Sequence, residues 1–177
     1  AHLFDRRLCR YFDKHTVASR VPKIMDVYKK SCDASGFAPI LTHLRTVCNH
    51  WCTHSRFGVK YRKCLFGCGH FTDQIAHSCT CPAFWHLFCS IFAFESPPIC
   101  INTVLLLQSD WTRDDFDRIR FVMLGLHTCF LTYSSCRHGV PLSRRLVLNK
   151  LYTYTRTHMK AAKLLRRIRH SVRNMQF

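Results

Sequence analysis

Between Cys64 and Pro82 the chain reads Cys-Leu-Phe-Gly-Cys-Gly-His-Phe-Thr-Asp-Gln-Ile-Ala-His-Ser-Cys-Thr-Cys-Pro. Cys64 and Cys68 are four residues apart, as are His77 and Cys81, with eight residues between the pairs. Two short turns therefore suffice to bring three thiolates and one imidazole together. That is a ligand set for a tetrahedral structural zinc ion, because pairs at this spacing let one tight turn present two ligands to one metal. Gly67 and Gly69 flank Cys68, where a metal-binding turn needs backbone close to the ion and tolerance of positive φ. His70 and Cys79 compete for places in the set. Cys81 is preferred to Cys79 because the three-residue gap after His77 fits a turn or helical register that leads into Pro82. The competing explanation is a group of buried free thiols, since free cysteine is among the most buried residue types.

Further motifs cluster around this stretch: Trp51-Cys52-Thr53-His54-Ser55-Arg56-Phe57 before it, Asp73-Gln74-Ile75-Ala76-His77 within it, and Cys81-Pro82 at its end. Together they resemble the zinc-binding region that lies downstream of the polymerase in non-LTR retrotransposon reverse transcriptases. The resemblance extends more loosely over Gly125 to Gly139 and the basic tail, covering residues 40 to 175. It implies a zinc site, a nucleic-acid partner and descent from a reverse-transcriptase-like protein. The polymerase of that family carries a Tyr-x-Asp-Asp turn, and some members have a nuclease after the zinc site. Neither pattern occurs in these 177 residues, so the resemblance implies binding without inherited catalysis.

Charge points the same way. There are 27 Lys and Arg against 10 Asp and Glu, a net charge of +17. The imbalance is concentrated, for no acid follows Asp117. A positive field sustained over the last third of a chain suits a polyanion, because each phosphate neutralised releases condensed counterions. A membrane partner would need a long apolar run, and the longest here, around Val104 to Leu107, is far short of a span. With 47% apolar residues, only 6 Gly and 6 Pro, and no repeat or low-complexity run, the chain is expected to fold. Twelve cysteines without an apolar leader at the start fit a reducing compartment better than a disulfide scaffold.

Taken in order, residues 1 to 30 alternate basic and apolar groups. Leu3, Phe4, Leu8, Tyr11 and Phe12 are spaced for one helical face. Pro22 is expected to break the segment and start a second short helix, the two either lying on RNA as arms or packing on the core. Leu41, Leu44, Val47, Cys48 and Trp51 predict a helix from Ile40 to about Cys52. Cys48 and Cys52, with His50 or His54, form a weaker candidate metal pair on it. Arg56, Lys60, Arg62 and Lys63, interleaved with Phe57 and Tyr61, supply cations for phosphates and rings for stacking.

After Pro82 comes a helix apolar nearly all round, Ala83 to Phe92, to be buried in a core or against a partner protein. The state of Ile101 to Leu107 is left open between helix and strand. Thr112 and Asp115 read as a capping box, which explains Asp114 and Asp115 as helix-start residues and not as a carboxylate site. The helix that follows shows Ile119, Val122, Met123, Leu126, Phe130 and Tyr133 on one face and runs towards Gly139. From Pro141 and Ser143 a last helix carries Arg144, Arg145, Lys160, Lys163, Arg166, Arg167, Arg169 and Arg173 without an acid among them, so its far end is expected to project into phosphate.

These readings predict a mainly α protein: a basic N-terminal arm (1–38), a helical zinc-knuckle core (39–140) and a long basic C-terminal helix (141–177). No nucleophile, base and orienter combine into a catalytic set. The expected function is that of a non-catalytic RNA-binding component of a large ribonucleoprotein, with rRNA and neighbouring subunits as partners and no membrane or small-molecule substrate. A mitochondrial ribosome in the matrix is the expected setting. The alternative is the nucleic-acid-binding tail of a non-LTR reverse transcriptase.

Overall fold

The computed structural model of the chain describes residues 2–53, 63–71, 73–92, 99–108, 116–136, 142–157, 162–163 and 165–167. The fold is mainly α, with eight helices and no strand among the described residues. In order they are α1 (His2–Leu8), α2 (Lys14–Ser35), α3 (Phe37–Val47), α4 (Ile75–Thr80), α5 (Pro82–Ser90), α6 (Ile101–Leu105), α7 (Phe116–Cys136) and α8 (Arg144–Thr157).

The start of α2 is set by Asp13, whose carboxylate accepts the backbone N–H of Thr16 at 2.8 Å and its hydroxyl at 2.6 Å. The Thr16 bonds hold the Asp13 carboxyl below the usual aspartate range. A depressed folded pKa stabilises above the unfolded pKa and fades as pH falls through the folded one. Replacing Asp13 by Ala is therefore expected to lower the melting temperature slightly at neutral pH, while Asp13→Asn, which keeps an accepting oxygen, restores most of the loss. Circular dichroism melts of the two variants check this.

Pro22 lies inside α2 and does not end it. The expected break fails for a physical reason. Proline removes the N–H that would bond the carbonyl of Ala18, yet both residues are exposed, on the side of the helix where a freed carbonyl costs least. On the other side Val17, Ile24, Val27 and Tyr28 are buried and hold the helix across the defect. Phe4 and Leu8 of α1 are buried too, and α1 and α2 both pack on α3. The apolar faces of α1 and α2 thus pack on the core, the other placement expected for this segment.

The helix expected to reach Cys52 stops at Val47. Asn49 adopts φ 58°, and the N–H groups of His50 and Asn49 return to the carbonyls of Arg45 at 2.7 Å and Thr46 at 3.0 Å. This is a Schellman closure with asparagine in the left-handed position usually held by glycine. The turn still buries Trp51, whose indole N–H donates to the Thr46 hydroxyl at 3.0 Å.

Helix α7 is the axle of the fold. Every residue from Phe121 to Cys129 is buried, as is Tyr133, because α2, α3, α4, α5, α6 and α8 all pack against it. The single apolar stripe read from the sequence is therefore the minimum of a helix enclosed almost all round. Helix α5 also turns inward, with Phe84, Trp85, Phe88 and Cys89 in the core. Ile101 to Leu105 is helical, and the chain leaves it through Leu107 at φ 49°. The carbonyls of Leu106 and Leu107 are satisfied by the Arg20 guanidinium at 3.0 and 2.8 Å, so a cation closes the helix end where the dipole is negative. Ser143 caps α8 by accepting the Leu146 N–H at 3.1 Å.

One buried polar chain ties three helices together. Tyr28 hydrogen-bonds His43 Nδ1, and His43 Nε2 meets the Val104 carbonyl at 2.8 Å. Burial pushes the His43 imidazole down to about 4, so it is neutral. Since the carbonyl only accepts, Nε2 carries the proton and Nδ1 accepts from the tyrosine. The capping box at Thr112 and Asp115 and the approach to Gly139 lie outside the described residues.

Candidate metal centre

Cys64, Cys68, His77 and Cys81 converge, with their four ligand atoms all within 4.8 Å of one another. Local structure explains how. Cys64 enters a turn in which the Gly67 N–H returns to the Cys64 carbonyl at 3.0 Å and the Phe66 N–H donates to the Cys64 sulfur at 3.3 Å. Gly67 and Gly69 take φ of 78° and 83°, the conformation the sequence predicts for them. The Cys64 N–H then bonds the His70 carbonyl at 2.7 Å, closing the loop. His77 projects from α4, and Cys81 is the junction residue between α4 and α5, whose first position is Pro82.

The distances fit a metal. With bonds of about 2.3 Å to sulfur and about 2.0 Å to nitrogen, a tetrahedral zinc site has S···S edges of about 3.8 Å and S···N edges of about 3.5 Å. Cys64 Sγ and Cys81 Sγ are 3.7 Å apart, and Cys68 Sγ lies 3.2 Å from His77 Nε2. Cys64 and Cys81 are buried while Cys68 and His77 are half-buried, so the centre sits just under the surface. Four protein ligands complete a tetrahedron and leave no open position, which is the arrangement of a structural site.

The electrostatics already favour an anionic sulfur. The hydrogen bond from Cys81 draws the Cys64 thiol down to about 4 against the effect of burial, helped by His77, the Phe66 N–H and Cys68. The same contact, together with burial, pushes Cys81 up, so the pair favours carrying one proton between its two sulfurs. A metal binds the thiolate form and displaces the remaining proton.

The rivals fall outside the cluster. Cys79 is fully buried, its sulfur donates to the Ala76 carbonyl at 3.4 Å, and burial pushes it up to about 12. His70 is exposed and stacks on His77 with ring centroids 4.2 Å apart and planes 11° from parallel. Cys48 and Cys52 join no group of three or more metal-ligating residues among those described.

The sequence offered no spacing signal for what holds the cluster to the core. Tyr133 of α7 donates to both oxygens of the buried Asp73 at 3.0 and 2.9 Å, pinning the loop between the ligand pairs. The Cys79 carbonyl accepts from the Trp85 indole at 2.8 Å, and the Ser78 carbonyl from the Cys129 thiol at 3.2 Å. The last turn of α4, with His77 on it, is thereby fixed by α5 and α7.

Of the cations expected to meet nucleic acid, Lys63, Arg144, Arg145, Lys163, Arg166 and Arg167 are all exposed. Lys63 adjoins the cluster, Arg144 and Arg145 form the first turn of α8, and the other three lie beyond its last residue. Arg56, Lys60, Arg62, Lys160, Arg169 and Arg173 lie outside the described residues. No helix among the described residues is long and apolar enough to cross a membrane. Comparison with protein-family models, with curated proteins and with solved structures gives no match to this chain.

Proposed function

We propose that this chain is a non-catalytic RNA-binding module of a large ribonucleoprotein, stapled by one zinc ion on Cys64, Cys68, His77 and Cys81. The observation that carries the reading is the set of exposed cations on and beyond α8, in a stretch of sequence that holds no acid after Asp117. An ordinary solvated helix face mixes both signs for solubility and for pairs four residues apart. A face of one sign suits a continuous run of phosphates. Zinc is the metal of choice because three thiolates and an imidazole in a closed tetrahedron are soft ligands with no open position for substrate. The cluster's part is to hold α4 and α5 against α7, so that the basic surface has a rigid base.

Two settings accommodate such a module. One is a ribosome, most simply a mitochondrial one in the matrix, where the chain touches rRNA and neighbouring subunits. The other is the ribonucleoprotein of a non-LTR retrotransposon, with the module downstream of a polymerase. The second rests on the resemblance carried by Trp51, Asp73, His77 and Cys81, of which Trp51 and Asp73 both meet Tyr133 of α7.

Gradient sedimentation of native material in gentle salt, with RNA and zinc assayed across the fractions, tests both. Migration with RNA and about one zinc per chain is expected. Ribosomal fractions select the first setting and a polymerase-bearing polypeptide the second, whereas a free chain without RNA refutes the proposal. In purified protein, Arg166→Ala with Arg167→Ala is expected to weaken binding evenly across RNA sequences. The slope of log affinity against log salt should fall by up to about two, since each phosphate contact contributes roughly 0.7–0.9. Filter binding over a salt series measures it.

A further inference from the structure

A cleft of about 290 Å³ lies beside the C-terminal half of α8, with Phe92 from the end of α5 and Leu151 and Leu165 among its apolar walls and Tyr152, Thr155 and Arg166 at its polar side. Phe92 is buried and braced by Phe88 and Phe121, with ring centroids 5.3 and 5.2 Å away, so this wall is fixed by the core. Tyr152 is different. It is 65% exposed, the most exposed of the large apolar side chains among the described residues. On α8, Arg145, Leu148, Asn149, Tyr152 and Arg156 recur at three- and four-residue steps on the solvent side, opposite the buried Val147, Leu151 and Tyr154. An aromatic ring is therefore flanked on its own helix face by two guanidinium groups, with a third, Arg166, at the mouth of the cleft.

We infer that this cleft is a seat for an unpaired base of single-stranded RNA, with Tyr152 as the stacking residue and Arg145, Arg156 and Arg166 on the adjoining phosphates. This rests on the proposed RNA-binding function and narrows its substrate. The cleft volume lies just below the roughly 300–1,000 Å³ of small-ligand sites, which suits one heterocycle rather than a cofactor. A ring set among cations is the arrangement that tracks a single strand, because every base offers a π-face and every step a phosphate. A duplex meets the same cations through phosphates alone, since its bases are stacked on each other and leave no face for Tyr152. The cations on this face also favour a polyanionic occupant over a basic protein helix, which they repel.

The test compares a short mixed-sequence single-stranded RNA carrying 2-aminopurine with a duplex of equal length, on the full chain loaded with zinc. Wild type is expected to quench 2-aminopurine fluorescence and to bind the single strand more tightly than the duplex at moderate salt. Tyr152→Ala should weaken the single strand about tenfold and abolish the quench, with duplex affinity unchanged. Tyr152→Phe, which keeps the ring, should retain both. Because Tyr152 is exposed, an unchanged circular dichroism melt is expected and separates lost stacking from lost folding. If Tyr152→Ala leaves single-strand affinity and quench intact while Arg166→Ala with Arg167→Ala weakens both RNAs, RNA binding stands and the seat is refuted. If wild type binds neither RNA, the proposed function itself fails.

Discussion

Chelation of the metal at neutral pH is expected to abolish the cooperative thermal transition, or to lower its midpoint by more than ten degrees. Structural zinc in small domains contributes an apparent 10–16 kcal/mol, roughly, at neutral pH, while the net stability of a whole domain is only about 5–15 kcal/mol. Emptying the centre leaves the Cys64 and Cys81 sulfurs crowded together under the surface, 3.7 Å apart, and loosens the loop that Asp73 and α4 hold against α7. Trp51 and Trp85 are buried beside that loop, so near-ultraviolet dichroism should collapse before the far-ultraviolet signal of α2 and α3. Restoring zinc should reverse the change. Ligand identity is checked by two variants: Cys81→Ser is expected to lose the metal, and Cys79→Ser to keep about one per chain at a cost of roughly 1–3 kcal/mol for a buried hydroxyl. Metal analysis after gel filtration reads both, and loss of metal from Cys79→Ser alone would overturn the assignment.

The second large effect is at Gly125, in the middle of α7. On helix propensity alone Gly125→Ala should stabilise by about 1 kcal/mol. Packing decides otherwise. A Cβ at this position would lie 2.3 and 2.4 Å from two atoms of the Trp85 ring and 3.1 Å from the Phe88 ring. Both rings are fully buried and stack among Phe84 and Phe121, so neither can swing away without moving α5. Over-packing of this kind costs about 1–3 kcal/mol and more where backbone must shift. The expected outcome is a net loss of about 2 kcal/mol, measured by urea unfolding. A variant as stable as wild type would show that α5 and α7 are not in this close contact.

The cluster was legible in sequence because its information is local: two four-residue steps, two glycines and a proline fix Cys64, Cys68, His77 and Cys81 without reference to the rest of the chain. Even the choice of Cys81 over Cys79 followed from register, since a residue two after His77 on a helix points elsewhere and here points into the core. The mainly α class was legible for the same reason, from repeats of three and four. Breaks were less legible. The intrinsic cost of proline predicts a break at Pro22, but that cost depends on which side of the helix faces solvent, and tertiary packing decides this. Asn49 ended α3 early because a single left-handed residue closes a helix as firmly as a change of pattern does. The long-range buttresses, Tyr133 on Asp73 and Trp85 on the Cys79 carbonyl, have no periodic signature at all. The exposure of Tyr152 does have one, since Tyr154 continues the Val147–Leu151 stripe and Tyr152 falls opposite it on α8.

The metal ligands span a short loop, with 17 residues from Cys64 to Cys81, whereas the bond that docks this loop on the core reaches 60 residues further along, from Asp73 to Tyr133. Closing the shorter loop costs less chain entropy. During synthesis all four clustered residues are free to meet as soon as Cys81 has emerged, before any of α7 has emerged. Phe66 and Phe84 pack together behind the knuckle, at a centroid distance of 5.4 Å, and Phe66 meets Tyr133 of α7 from that side. A metal bound at that stage would let the knuckle form ahead of the helix on which it docks.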